Sequence, residues 1–181
     1  KLSGTYQSAC LAKDMVDYEN IFIIDTLTAV AGIRLLCEVA INWIGENRCV
    51  EDIVSGLEEL KERVHIYAGL DTLEYLAKGG RISKTAAAIG TLASIKPIIC
   101  VDHGGVVVAG KTRGVNKATS VVCEKMQSDI VDTLYPVYTL YSYGLENVEK
   151  LESKLDLDVN RVRIGSTIGV HILKELVQVP Q

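Results

Sequence analysis

The run Ile21-Phe22-Ile23-Ile24, four apolar residues in succession between Asn20 and Asp25, constrains this chain more than any other stretch. A continuous rather than alternating apolar run of that length is the pattern of a strand covered on both faces in a parallel sheet. Such a strand demands helices above and below it, and the sequence supplies them. Residues 4–18 place Ala9, Leu11, Ala12, Met15 and Val16 at helical spacing behind Ser3, whose side chain suits a helix N-cap. Thr26 and Thr28 follow at the carboxyl end of the strand, where ligands of open α/β sheets sit, and a helix is predicted over 29–47. A further amphipathic helix, 51–63, carries Ile53, Val54, Leu57 and Leu60 on one side, and 65–70 reads as a short strand. That order is the second half of a doubly wound sheet, with too few strands to close the layer by itself.

The rest of the chain has a different rhythm. A short helix over 72–78 is expected to stop at Gly79-Gly80, where a left-handed terminator is cheap only for glycine. A small-residue helix over 83–93 follows, and then strands 96–101 and 106–111 joined by the hairpin signal Asp102-His103-Gly104-Gly105. Helix 115–130, strand 136–143, helix 146–155 and strand 161–166 complete an α+β unit. The fold class expected is therefore α/β with an α+β second part: an incomplete α/β domain over 1–70 followed by an α+β domain over 71–181.

Composition narrows the function. Asp and Glu outnumber Lys and Arg by 23 to 19, aromatic residues make up 6%, and no basic block occurs, which removes the footprint of a nucleic-acid binder. The longest apolar stretch, 27–44, is interrupted by Arg34 and Glu38 at i,i+4 spacing and reads as a helix of a water-soluble fold, so no stable membrane insertion is expected. Cys10, Cys37, Cys49, Cys100 and Cys123 are widely spaced and form no CxxC pair; they read as buried thiols in a reducing cytosol. The opening Lys-Leu-Ser-Gly is not the basic-then-apolar pattern of a secretory leader, and it begins without Met, as though joined in mid-protein.

Chemistry has few candidates. No Gly-x-Ser-x-Gly elbow is present, His65, His103 and His171 are far apart without carboxylates clustered about them, GxGxxG does not occur, and Gly105-Val106-Val107-Val108-Ala109-Gly110-Lys111-Thr112 matches GxxxxGK[ST] only as a string, within the strand predicted over 106–111 rather than in a loop that opens a helix. A catalytic triad, a metal site and a nucleotide cradle thus lack support, and no cofactor is expected. What remains are polar residues at element ends: Ser3-Gly4-Thr5 opening a helix, Gly79-Gly80-Arg81 joining a tight turn to a guanidinium, and His171 after the small-residue stretch 165–169. Each can meet an anion, and each can equally be an ordinary cap or a structural side chain.

The strings LSGTYQSA at the start, IDTLTAVAG at 24–32, LDTLEYLAKGGRIS at 70–83, and IGTLASIKPII followed by GKTRGVNKA stand in an order and spacing that closely resemble the DegV family of bacterial fatty-acid-binding proteins. The resemblance runs from Leu2 to about His171. It implies two α/β domains clamping a long-chain fatty acid, the carboxylate at the domain junction and the chain in an apolar tunnel. It further implies a non-catalytic partner of a fatty acid kinase, which phosphorylates the bound acid to an acyl phosphate for phospholipid synthesis. By position, Ser3 matches the serine that hydrogen-bonds the carboxylate, Arg81 and His171 match the arginine and histidine near the head group, and Arg113 matches a basic position linked to work with the kinase. Gly4, Thr5, Thr26 and Thr28 then stand around the head group, and Ala29, Gly32, Ala87 and Ile89 along the acyl tunnel, where Gly32→Leu or Ala87→Phe would shorten the preferred chain.

Two departures accompany the resemblance. The family carries a further α/β half-domain ahead of the Ser-Gly-Thr-Tyr string, including a Thr-Ser-Gln-Pro segment whose threonine is a second carboxylate ligand, and this sequence has no such segment. After His171 the family continues in a Gly-rich closing strand, whereas this chain runs Ile172-Leu173-Lys174-Glu175-Leu176. Two other functions remain open on the residues alone. One is an enzyme acting on a small anionic metabolite, with Arg81 and Arg113 as anion clamps and His171 as acid or base. The other is a scaffold in which the Ser3-Gly4-Thr5 and Gly79-Gly80-Arg81 segments are only caps.

Overall fold

The structure is a computed structural model that describes residues 2–87, 94–128, 132 and 134–172. The fold is mixed α/β in two distinct regions. The first is helical: α1 (Thr5–Asp14), α2 (Ala31–Gly45) and α3 (Val50–Leu60), the last tightening into a 3-10 turn over Lys61–Arg63. Leu36 and Val39 of α2 interlock with Ile53, Leu57 and Leu60 of α3, the stripe expected from the apolar spacing of α3. Arg34 and Glu38 form the expected i,i+4 ion pair, Nε to Oε1 at 2.6 Å.

The apolar run at 21–24 is not a strand. A strand exists only through its neighbours, and the one nearby candidate, β1 (Ile66–Gly69), pairs elsewhere, antiparallel to β2 (Ile95–Asp102). Phe22 is accordingly 48% exposed. The doubly wound pairing expected of the first seventy residues thus does not form among the described residues. The helix after it starts at Ala31, later than expected, because Leu27 and Val30 hold positive φ angles of 52° and 48° and keep the preceding loop out of the helix. No described helix is long and apolar enough to cross a membrane. Two of the cysteines correct the expectation of buried thiols: Cys37 and Cys49 are exposed, on α2 and at the head of α3, while Cys100 and Cys123 are buried.

In the second region β2 is the centre of a three-stranded sheet, β1-β2-β3, with β3 at Gly105–Arg113. The β2–β3 turn forms as its sequence predicts: Asp102 pairs with Gly105, and His103 and Gly104 at φ 42° and 67° give the left-handed two-residue turn that glycine favours. Successive β2 residues point to opposite faces. Ile98 meets Ala118 and Val122 of α6 (Val115–Ser128) on one face. Ile99 meets Leu73 and Leu76 on the other, Leu76 belonging to α4 (Glu74–Lys78). A helix α5 (Lys84–Ala87) precedes β2. Beyond α6, β4 (Val137–Tyr141), α7 (Glu146–Glu152) and β5 (Val159–Arg163) make a parallel βαβ unit, and α8 (Ser166–Ile172) follows. That last helix is missing from the sequence expectation, which ran the strand on to residue 166; Gly169 instead donates to the Gly165 carbonyl at 2.9 Å and starts a helical turn.

A polar tie joins the regions. The Tyr138 hydroxyl on β4 donates to Glu38 on α2, and the Arg34 guanidinium lies 5.4 Å from the centre of the same ring. Burial, then the Glu38 carboxylate beside it, pushes the Tyr138 phenol up from 10.0 to about 12. The hydrogen bonds from Tyr138 and Arg34 hold Glu38 below the usual carboxylate range. A raised phenol favours the neutral folded form, so its stabilisation is complete below pH 10.0 and is lost as pH climbs towards about 12. Alkaline titration of tyrosine absorbance should therefore show one group ionising near 12 that disappears in Tyr138→Phe. A wild-type curve in which every folded-state tyrosine ionises near 10 would remove the tie.

Candidate functional site

The turn at Gly79-Gly80 is where the distant segments meet. Helix α4 ends as expected, with Gly80 at φ 73°, and the chain turns so that Arg81 points back across it. The Arg81 side chain donates from Nε to the Leu2 carbonyl at 3.2 Å and from Nη1 to the Gly79 carbonyl. The first contact fastens the segment ahead of α1 to the second region. His171 on α8 packs against the same turn, so closely that a Cβ on Gly79 would overlap the imidazole. Three stretches far apart in sequence, around Ser3, Arg81 and His171, thus come to one place.

Ser3 does not cap α1 as its side chain suggests. The N-cap is Gly4, and the Ser3 Oγ accepts the Thr5 backbone N–H at 3.2 Å while the Ser3 and Thr5 hydroxyls share a hydrogen bond of 2.7 Å. The serine stands one residue earlier and keeps its hydroxyl at the rim of the site.

Leu2, Ser3, Thr5, Arg81 and His171 line one cleft of about 1560 Å³. This is wider than the roughly 300–1,000 Å³ of common small-molecule pockets. Its walls are mostly apolar, Val30, Leu35, Leu60, Val64, Ile66 and Ile99 among them. Thr28, Ala29 and Gly32 also line it, whereas Gly4 and Thr26 do not. Ala87 closes α5, and Ile89 lies outside the described residues. Arg113 is exposed at the end of β3 and is not part of the lining, so Arg81 and Arg113 do not form a two-arginine clamp. The space beside Gly32 is filled by the Thr28 side chain, with which a Cβ on Gly32 would collide. Gly32→Leu therefore displaces the Thr28 loop before it narrows any tunnel, which corrects the simple reading of that substitution.

Charge in the cleft is mostly paired. Lys96 Nζ lies 2.5 Å from Asp71 Oδ1, and Arg63 Nη2 lies 2.8 Å from Asp132 Oδ2. Neither pair is visible from spacing; Lys96 sits in the Ile-Lys-Pro-Ile string, but its partner is 25 residues away. Arg81 differs: its two acceptors are carbonyls, and among the described residues it has no carboxylate partner. A half-buried guanidinium whose charge is unmatched, beside a hydroxyl and an imidazole, is suited to an anion, above all a planar carboxylate. Among the described residues no group of His, Cys, Asp and Glu is placed to hold a metal.

The sequence model of the DegV family, described as uncharacterised proteins, matches residues 1–179. A DegV domain-containing protein of Clostridium acetobutylicum is 33% identical over 174 residues, covering 94% of this chain and 62% of that protein. Among solved structures, a DegV family protein of Thermus thermophilus described for its fatty acid binding has a TM-score of 0.80 at 30% identity, over 94% of this chain and 63% of that one. A stearic-acid-binding protein of Eubacterium ventriosum has a TM-score of 0.81 at 28% identity, with the same coverage of 94% and 63%. The chain spans less than two thirds of the length of these relatives.

Proposed function

We propose that this chain, which belongs to the DegV family, binds a long-chain fatty acid and presents its carboxyl group to a fatty acid kinase for phosphorylation to an acyl phosphate. The observation that carries the reading is Arg81, cleft-lining and without a carboxylate partner among the described residues. In this reading the carboxylate sits against Arg81 with Ser3 and His171 as further hydrogen-bonding neighbours, and Thr5 stands behind Ser3. A buried carboxylate is costly unless it is met by charge and donors, and these residue types supply both. The acyl chain lies along the apolar wall past Ala29, where each buried methylene contributes ~0.8 kcal/mol.

The protein itself performs no chemistry in this proposal; the kinase does. Arg113, exposed at the end of β3 and away from the cleft, is free to face that kinase in the cytosol. The two units of this reading are 1–70 and 71–181; strand β1, at the end of the first, pairs with β2 of the second, and residues of both line the cleft. The described fatty acid and stearic acid binding of the Thermus and Eubacterium proteins supports the choice of ligand.

Native mass spectrometry of the chain expressed in bacteria should show a bound species with the mass of a long-chain fatty acid. An Ala29→Phe chain should carry shorter acids, because the ring takes up space along the apolar wall. A chain that carries no lipid and shows no thermal shift with stearic or oleic acid would overturn the proposal. Unchanged acyl length in Ala29→Phe would remove the path assigned to the acyl chain.

A further inference from the structure

Two glycines end α4, and the backbone asks for only one of them. Gly80 stands at φ 73°, in the left-handed region that favours glycine. Gly79 has φ −76° and ψ −6°, an ordinary helical conformation open to any common side chain. What a side chain at 79 would meet is His171. A Cβ there overlaps Nδ1 and Cε1 of the imidazole, and otherwise only closes on the Tyr75 carbonyl at 3.2 Å.

The backbone of Gly79 is fixed on both sides. Its N–H donates to the Tyr75 carbonyl of α4 at 2.9 Å, and its own carbonyl accepts Arg81 Nη1. The ring cannot simply draw back, because Ile172, the next residue of α8, packs against the core cluster of Leu73, Leu76 and Ile99. One residue without a side chain thus touches both Arg81 and His171, the first through its carbonyl and the second through its bare Cα.

We infer that Gly79 is a positioning residue: its missing side chain seats the His171 imidazole on the turn that carries Arg81, so that the two serve one carboxylate. The inference rests on the fatty-acid reading of the cleft. Gly79 itself is not part of the cleft lining and acts only through its neighbours.

The delipidated wild-type chain, Gly79→Ala, His171→Ala and the double variant are titrated with stearic acid. Gly79→Ala should bind more weakly than wild type by about 10-fold. In the His171→Ala chain, where the ring is gone, the same substitution should change affinity by no more than about 2-fold. The imidazole signals of the three histidines, His65, His103 and His171, are followed by NMR without ligand. Gly79→Ala should move the His171 signal, assigned by its loss in His171→Ala, and leave the other two in place. Should Gly79→Ala not fold, the melting temperatures decide: folding restored in the double variant shows that the ring is what the added methyl meets, and a double variant that also fails overturns the inference. Equal affinity of Gly79→Ala and wild type, an equal loss with and without the imidazole, or an unmoved His171 signal likewise overturns it and leaves the fatty-acid reading standing. A wild-type chain that binds no stearic acid overturns that reading, and the inference with it.

Discussion

Exchange of Arg81 for methionine should weaken the binding of stearic acid by about 10- to 100-fold, the value of one charge-assisted hydrogen bond of about 1.5–3 kcal/mol. Methionine keeps much of the apolar stem and loses the guanidinium. The effect is large because Asp71 and Asp132 already hold the other cleft cations, Lys96 and Arg63, leaving Arg81 as the charge most available to a carboxylate. Arg81→Lys should fall between the two, since it keeps the charge and loses the planar fork. The variant also loses the contact from Nε to the Leu2 carbonyl, so affinity is to be measured together with the melting temperature. A calorimetric titration in which Arg81→Met binds as tightly as wild type would exclude Arg81 as the carboxylate partner.

The largest loss of stability should come from Leu73→Ala. Leu73 is 0% exposed and packs with Leu76 and Ile99, with Ile82 and Ile172 of α8 against the same cluster. Truncating a leucine so enclosed costs about 2–5 kcal/mol, a fall of roughly 5–15 °C in melting temperature for a chain of this size. This cluster lies under the turn that carries Gly79 and Arg81 and under the helix that carries His171. The variant should therefore lose lipid affinity as well as stability. Leu11→Ala, on the exposed side of α1 at 65% exposure, is the matched control and should change stability by no more than ~0.5 kcal/mol. Denaturant unfolding that ranks the two alike would show that this cluster does not support the fold.

Much of the local chemistry, where a residue's partner lies within a few positions, was legible in the sequence. The α3 stripe, the Arg34–Glu38 pair, the Asp102–Gly105 turn and the stop at Gly80 all follow from spacing, and all form. The misses depend on partners that spacing cannot reveal. The run at 21–24 has the residues of a buried strand, yet pairing is a property of neighbours, and β1 pairs with β2. Helix α8 is short and rich in small residues, so its apolar period is too weak to read; it packs against α4. In the candidate site, the residues around Ser3, Arg81 and His171 could be singled out as anion-suited, but only the fold shows that Arg81 reaches Leu2 and that His171 rests on Gly79. Lys96, Tyr138 and the crowding of Thr28 on Gly32 carried no local signal.

The bond from Arg81 to Leu2 spans 79 residues of sequence, and His171 reaches the same turn from still further along the chain. Closing loops of that length costs chain entropy before the contacts that repay it exist, and folds dominated by such contacts form slowly. The corner around Arg81 is thus expected to close late in folding, after the helices and the β2–β3 hairpin. In the fatty-acid reading, an acid that binds only the finished corner stabilises the folded chain by mass action. In that reading, lipid supply during synthesis sets how much of the chain completes its fold.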